Sequence, residues 1–160
     1  MKFILKKATA LLLCALLTVS LGVMLASCDG TGDGGGTVTV VVETAPVGSD
    51  DIKTTSYEVD LDGVTGVGVV GVLEYLKENE GLEFSMDGTM VSRVGNLTND
   101  YANGVYIYLY TSVSQDMDVS VYAQQKEYNG KTLVSSGVGI SEMSAPDGAI
   151  IYVGTIAYGS

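Results

Sequence analysis

Three hydrophobic patterns follow one another along the chain. Residues 8–25 are apolar except at Thr9, Thr18, Ser20 and Gly22, and Lys2, Lys6 and Lys7 stand before them. Residues 29–36 (Asp-Gly-Thr-Gly-Asp-Gly-Gly-Gly) offer nothing to bury. From Thr37 onward, short β-branched or alternating runs are separated by turn residues, as strands of a sheet are. Residues 37–43 and 56–61 read as a pair of strands. Between Gly66 and Lys77 the period changes. Val69, Leu73 and Leu76 fall at i, i+4 and i+7 with Val72 beside them, while Glu74, Lys77 and Glu78 lie elsewhere around the turn, which predicts a helix. Thr65 is its expected N-cap and Gly81 its expected stop.

After the helix the pattern returns to strands over residues 82–86, 90–94, 105–112, 119–126, 131–138 and 149–157, with turns at Asp87-Gly88, Asn103-Gly104, Asn129-Gly130 and Asp147-Gly148. Asn129-Gly130 is the strongest hairpin signal, because a type I′ turn needs positive φ at both central residues. The last run is almost wholly apolar, as expected of an inner strand covered on both faces. A helix packed across one face of a mixed or antiparallel sheet buries both apolar surfaces most simply, so the expected fold class is α+β.

The first 36 residues read as an address. A basic start, an apolar stretch and a small-residue exit make a signal peptide over residues 1–27. The stretch is also long enough for a membrane helix. The exit favours cleavage: Leu25-Ala26-Ser27-Cys28 matches the bacterial lipobox, in which the thiol receives a diacylglyceryl group and the cysteine becomes the first residue. Cys28 is the expected lipid attachment site, and acyl chains at about 0.8 kcal/mol per buried methylene make a lasting anchor. Residues 28–36 then form anchor and Gly-rich tether, and residues 37–160 one domain. The expected location is extracytoplasmic, lipid-anchored to a bacterial cell membrane. Asp29 would mark retention on an inner membrane only in a host with two membranes and enteric-type sorting.

Charge and composition narrow the chemistry. Removing residues 1–27 takes away three lysines and no acid, moving the formal charge from −11 to −14. With only Lys53, Lys77, Arg93, Lys126 and Lys131 left, nucleic acid is not an expected partner. Cys14 leaves with the leader and Cys28 is alkylated, which excludes disulfides, thiolate metal sites and cysteine nucleophiles. The chain has no histidine and no tryptophan. No catalytic residue, metal site or cofactor is therefore expected, and the protein is not read as an enzyme.

Four motifs invite chemical readings. Gly66-Val-Gly68-Val-Val-Gly71 is a literal G-x-G-x-x-G with Asp87 at the distance of a ribose-binding acid. The strand before it alternates instead of being continuously apolar, so the glycines are read as permitting close helix-on-sheet packing. Glu58, Asp60, Asp62 and Gly63 echo the start of a calcium loop, but Val69 occupies the twelfth position, where a bidentate Glu is required. Glu74 and Glu78, one turn apart, read as a solvated helix face. The strongest candidate is the strand over 105–110, where Val105, Ile107 and Leu109 alternate with Tyr106, Tyr108 and Tyr110. One face can enter the core while the other presents three phenols, a surface suited to sugars, planar rings or protein partners. The bland alternative is a stripe covered by Met86, Met90 or a loop.

Residues 38–43, 58–63 (Glu-Val-Asp-Leu-Asp-Gly), 73–77 (Leu-Glu-Tyr-Leu-Lys), 106–112 (Tyr-Ile-Tyr-Leu-Tyr-Thr-Ser) and the close from 137–140 through Asp147-Gly148 to Ile156 resemble a bacterial domain family of unknown function similar to the C-terminal domain of transcobalamin. The resemblance covers about residues 37–160 and rests on strand patterns and turns. It implies a β-grasp-like fold and, loosely, a ligand-contacting module in surface lipoproteins. No binding residue carries over, since no functional motif matches position by position. Two functions follow as expectations. One is a non-catalytic binding module for a small molecule or glycan at Tyr106, Tyr108 and Tyr110. The other is a structural or protein-interaction module that docks an envelope protein and has no small ligand. A pocket at the stripe would favour the first and a flat patch the second.

Overall fold

The computed structural model describes residues 35–158. The expected signal peptide and the expected lipid attachment site, Cys28, lie outside the described residues. In order come β1 (Thr37–Glu43), β2 (Thr54–Asp60), α1 (Gly68–Asn79), β3 (Phe84–Asp87), β4 (Met90–Val94), β5 (Leu97–Thr98), β6 (Val105–Thr111), β7 (Gln125–Tyr128), β8 (Lys131–Ser135) and β9 (Ile150–Ala157). Short 3-10 turns lie at Leu61–Gly63, Ser114–Asp116 and Ile140–Glu142. This is an α+β architecture, mostly sheet with one helix. Six strands form one mixed sheet in the order β2-β1-β9-β6-β8-β7, and β3-β4-β5 form a small antiparallel one. In the large sheet β1 and β9 run parallel, and the other neighbours are antiparallel.

Strand alternation divides the side chains into two cores. Val38, Val40 and Val42 of β1, Ile107 of β6 and Ile151 and Val153 of β9 face α1 and the small sheet. There they meet Val69, Val72, Leu73 and Leu76, the helix face that the spacing predicts, together with Phe84, Val91, Val94 and Leu97. Full burial of each such side chain is worth about 1.5–3 kcal/mol, so this layer carries most of the apolar stabilisation. β9 lies between β1 and β6 with its first six residues buried, the inner strand its composition predicts.

Local chemistry shifts several boundaries. The helix begins at Gly68 instead of beside Thr65, because Gly68 takes φ +59° and turns the chain left-handed just before it. Val67 is the N-cap without a side-chain bond, and the Met143 carbonyl takes the Val69 N–H at 3.1 Å. The expected stop holds: Gly81 sits at φ +70° and Leu82 N–H returns to the Leu76 carbonyl at 3.2 Å. The hairpin turn at Asn129 and Gly130 has φ of 49° and 75°, as type I′ requires. Residues 119–124, expected in a strand, are not. The Asp118 carboxylate accepts Ser120 N–H at 2.8 Å and Ser120 Oγ–H at 3.0 Å, and this local turn wins over the ladder. Two-residue β5 is too short to leave an alternating pattern.

Candidate functional site

The face of the large sheet turned away from α1 carries the tyrosines. Six strands at about 4.8 Å spacing would hold flat edges about 24 Å apart. Here Tyr128 of edge strand β7 donates its hydroxyl to Ser56 Oγ of the opposite edge, β2, at 3.1 Å. The sheet therefore curls until its two edges meet. Inside the curl Val41, Tyr110, Leu133, Ile150 and Tyr152 form a second core, with Tyr108 and Tyr128 packed on it. The β7–β8 hairpin covers the Tyr110 end of the stripe. Met86 instead packs in the core beside α1, and Met90 is exposed.

The three tyrosines of β6 share one face, as the alternation predicts, but they extend into a longer row. Tyr101 meets Tyr106 at 5.8 Å between ring centroids, and Tyr106 meets Tyr158 at 5.9 Å. The Tyr158 and Tyr108 hydroxyls meet at 3.5 Å. Tyr108 packs on Tyr110 at 5.8 Å, Tyr110 on Tyr152 at 6.0 Å, and Tyr152 on Tyr128 at 6.3 Å. The tilted and edge-to-face angles are those that aromatic quadrupoles favour. The row runs from buried to open: Tyr110 is 1% exposed, Tyr106 and Tyr108 are half-buried, and Tyr101 and Tyr158 are 58% and 57% exposed.

Glu43 locks the buried end. It is 2% exposed, and its carboxylate accepts from Lys126 Nζ at 2.8 Å, Tyr152 Oη at 2.9 Å and Thr155 N–H at 3.3 Å. The Lys126 ammonium stands 5.9 Å from the Tyr110 ring centroid and 5.6 Å from that of Tyr152, within cation–π range. Gly154 makes room for this arrangement, since a Cβ there would lie 2.7 Å from the Glu43 carboxylate. The phenols respond to their surroundings. Burial and then the Glu43 charge push Tyr110 up to about 12. Burial and then the hydrogen bond to Glu43 raise Tyr152 further. Tyr108 is pushed up to about 12, first by its bond with Tyr158 and then by burial.

The remaining motifs take structural roles. In the glycine motif Gly66 and Gly71 approach backbone to backbone, a Cβ on Gly66 falling 2.4 Å from Gly71 Cα. A Cβ on Gly68 would lie 2.2 Å from the Met143 carbonyl. The glycines do not bring the helix onto the sheet as expected: Gly66 and Gly71 pack on each other and Gly68 on Met143, next to the turn at Ile140–Glu142, and the Met143 carbonyl occupies the Val69 amide that a phosphate would use. Asp60 caps the turn through Asp62 N–H at 3.0 Å, and Asp62 accepts Gly35 N–H at 2.6 Å. Gly36 accepts Leu61 N–H at 2.8 Å, so the last two glycines of the expected tether lie against the domain. Glu74 pairs with Lys77 at 3.1 Å, and Glu78 is exposed. Among the described residues no three His, Cys, Asp or Glu side chains gather as a metal site would need, and no helix is long and apolar enough to cross a membrane.

A search with protein-family models and a search of curated proteins each gave no match to the chain. The site is thus defined by its geometry alone. Tyr101, Tyr128, Tyr152 and Tyr158 join it from outside the β6 pattern. Only the register β6↔β9, which sets Tyr110 opposite Tyr152, brings the last strand into the row.

Proposed function

We propose that this chain is a lipid-anchored extracytoplasmic binding module, non-catalytic, which holds a small molecule or glycan against the open end of its tyrosine row. The observation that carries the proposal is the cluster of Tyr101, Tyr106 and Tyr158, with centroids 5.8 and 5.9 Å apart, two rings more than half exposed, and a locked aromatic base beneath them. Such rings supply rigid apolar area with a polar tip at little entropic cost. In this reading Tyr106 and Tyr108 touch the ligand, while buried Tyr110 holds them in place. Lipid on Cys28 supplies the anchor to the membrane.

A β-grasp-like fold related to the transcobalamin-like family accompanies the proposal. It is supported by the β1–β2 hairpin followed by α1, the parallel central pair β1 and β9, and antiparallel β6 outside β9. The second reading, a structural or protein-interaction module, draws on Val119, Val121 and Tyr122, which stand almost fully exposed on one loop.

The test is titration of the full chain with a panel of corrinoids and glycans, beside a Tyr101→Ala/Tyr158→Ala variant. The expected result is saturable binding that the variant loses while its unfolding free energy stays within about 0.5 kcal/mol of wild type. Binding only to protein in an envelope extract, unaffected by that variant, would overturn the small-ligand reading.

A further inference from the structure

A second site lies on the edge of β6 that faces away from β9, where the backbone of Tyr106 and Tyr108 borders it. Even-numbered residues of β6 turn their backbone groups toward β9, and odd-numbered ones turn theirs outward. The outward groups have a succession of partners. Val105 exchanges both bonds with Asp100, at 2.8 and 2.9 Å. Ile107 N–H donates to Asn99 Oδ1 at 2.8 Å, and the Leu109 carbonyl accepts Ser136 N–H at 2.9 Å. Between these bonds the Ile107 carbonyl and the Leu109 N–H meet no partner among the described residues. A backbone donor and acceptor are thus left side by side in a gap one residue long.

The gap opens on a cavity of about 230 Å³ lined by Met90, Val91, Leu109, Val138, Ile140 and Met143 among others. Tyr106, Ile107, Tyr108 and Leu109 all line it, which alternating side chains could not do together, so the edge of the strand is its wall. The wall is fixed, because Asn99 also donates to the Val91 carbonyl at 2.8 Å and ties β4 to β6. The volume is below the roughly 300 Å³ at which drug-sized pockets begin. It suits a fragment.

We infer that this gap binds one residue of an extended peptide by strand addition. In parallel pairing a single residue donates its N–H to one carbonyl and accepts from the N–H two positions further on. Ile107 C=O and Leu109 N–H are that pair. Asn99 on one side and Ser136 on the other stop the ladder, so the clip holds one residue instead of a strand. Met90, Val91, Ile140 and Met143 select an aliphatic side chain for it.

The experiment titrates the isotope-labelled full chain with N-acetyl-leucine methylamide and with its analogue methylated on the leucine nitrogen, which cannot donate to Ile107. The parent compound should shift the Leu109 amide and the Ile107 carbonyl saturably, and the methylated analogue should bind about tenfold more weakly, the loss of one hydrogen bond of about 1.4 kcal/mol. Val138→Trp, which fills the cavity, should abolish the shift in a chain that still melts cooperatively. Equal binding of the two compounds, or shifts confined to Tyr101 and Tyr158, would overturn the proposal, and so would an unmoved Leu109 amide at millimolar peptide. Comparison of the two compounds on the unaltered chain decides the matter even if Val138→Trp fails to fold.

Discussion

Lys126→Met tests whether the curl of the sheet is held by the Glu43 lock. Removing one partner of a buried ion pair typically costs 3–5 kcal/mol, because the other charge is stranded. Here the loss is smaller for two reasons. The Lys126 side chain is 33% exposed, so water can partly replace it, and Glu43 keeps the Tyr152 hydroxyl and Thr155 N–H. Two cation–π contacts disappear at about 0.5–1 kcal/mol each, offset in part by packing of the Met thioether on the same rings. The expected destabilisation is about 2–3 kcal/mol. Glu43→Gln keeps an acceptor for Tyr152 and should cost about 1–2 kcal/mol. The double variant should fall short of the sum by about 1–2 kcal/mol, since neither change strands a charge once the other is made. Urea unfolding resolves these differences: at a slope of about 2 kcal/mol per molar, Lys126→Met moves the midpoint down by about 1 M. A Lys126→Met midpoint within about 0.3 M of wild type, or strict additivity in the cycle, would refute the lock.

Three further outcomes follow from the same geometry. Gly68→Ala forces a Cβ to 2.2 Å from the Met143 carbonyl at φ +59°, and should destabilise by about 2 kcal/mol or more in the same urea assay. Gly154→Ala displaces the Glu43 carboxylate, 2.7 Å from the new methyl group, and should cost about 1–3 kcal/mol; that loss should shrink when Glu43 is already Ala. The third concerns alkali. Tyr110 and Tyr108 have folded values of about 12 against an unfolded value of about 10, so the folded state binds their protons more tightly. Their contribution to stability is complete below pH of about 10 and is lost as pH rises toward about 12. Tyrosinate absorbance should show a late component up to pH of about 12 that Tyr110→Phe diminishes, and its absence would show that the curl admits water.

The helix, the sheet class and the face of each β6 residue were legible because each depends on a local period. Val69, Leu73 and Leu76 repeat with the turn of a helix, and Tyr106, Tyr108 and Tyr110 with the pleat of a strand. The fate of the face was not legible. Whether Tyr110 meets water depends on the β7–β8 hairpin folding back to Ser56, 72 residues away in sequence, and no local pattern records that closure. Glu43 misleads for the same reason: a charged residue at a strand end reads as solvated until Lys126 and Tyr152 arrive from other strands. Two signals could have pointed to the row. One is the tyrosine in the otherwise aliphatic run of β9, Tyr152, and the other is Tyr128 placed just before the Asn129-Gly130 turn. Residues 119–124 failed differently, since Asp118 and Ser120 offered the backbone a turn that outcompeted β-branched propensity.

The second core follows from the size of the domain. One helix and a three-stranded sheet can cover only one face of a six-stranded sheet, and the described residues contain no cysteine with which to staple a small fold. Curling the sheet removes the second face from water without another layer. Tyrosine suits that interior better than leucine, because a curl closed only by a hairpin leaves polar groups near its rim. Tyr152 reaches Glu43, Tyr128 reaches Ser56 and Tyr158 reaches Tyr108 with hydroxyls while their rings pack on one another. The row is then scaffold at one end and surface at the other, a division that substitutions should expose. Tyr110→Ala removes a ring buried among Val41, Leu133 and Tyr152 and should cost about 3–5 kcal/mol whatever the protein binds. Tyr101→Ala removes a ring that is mostly in solvent, so a loss of ligand affinity there with stability intact would belong to recognition alone.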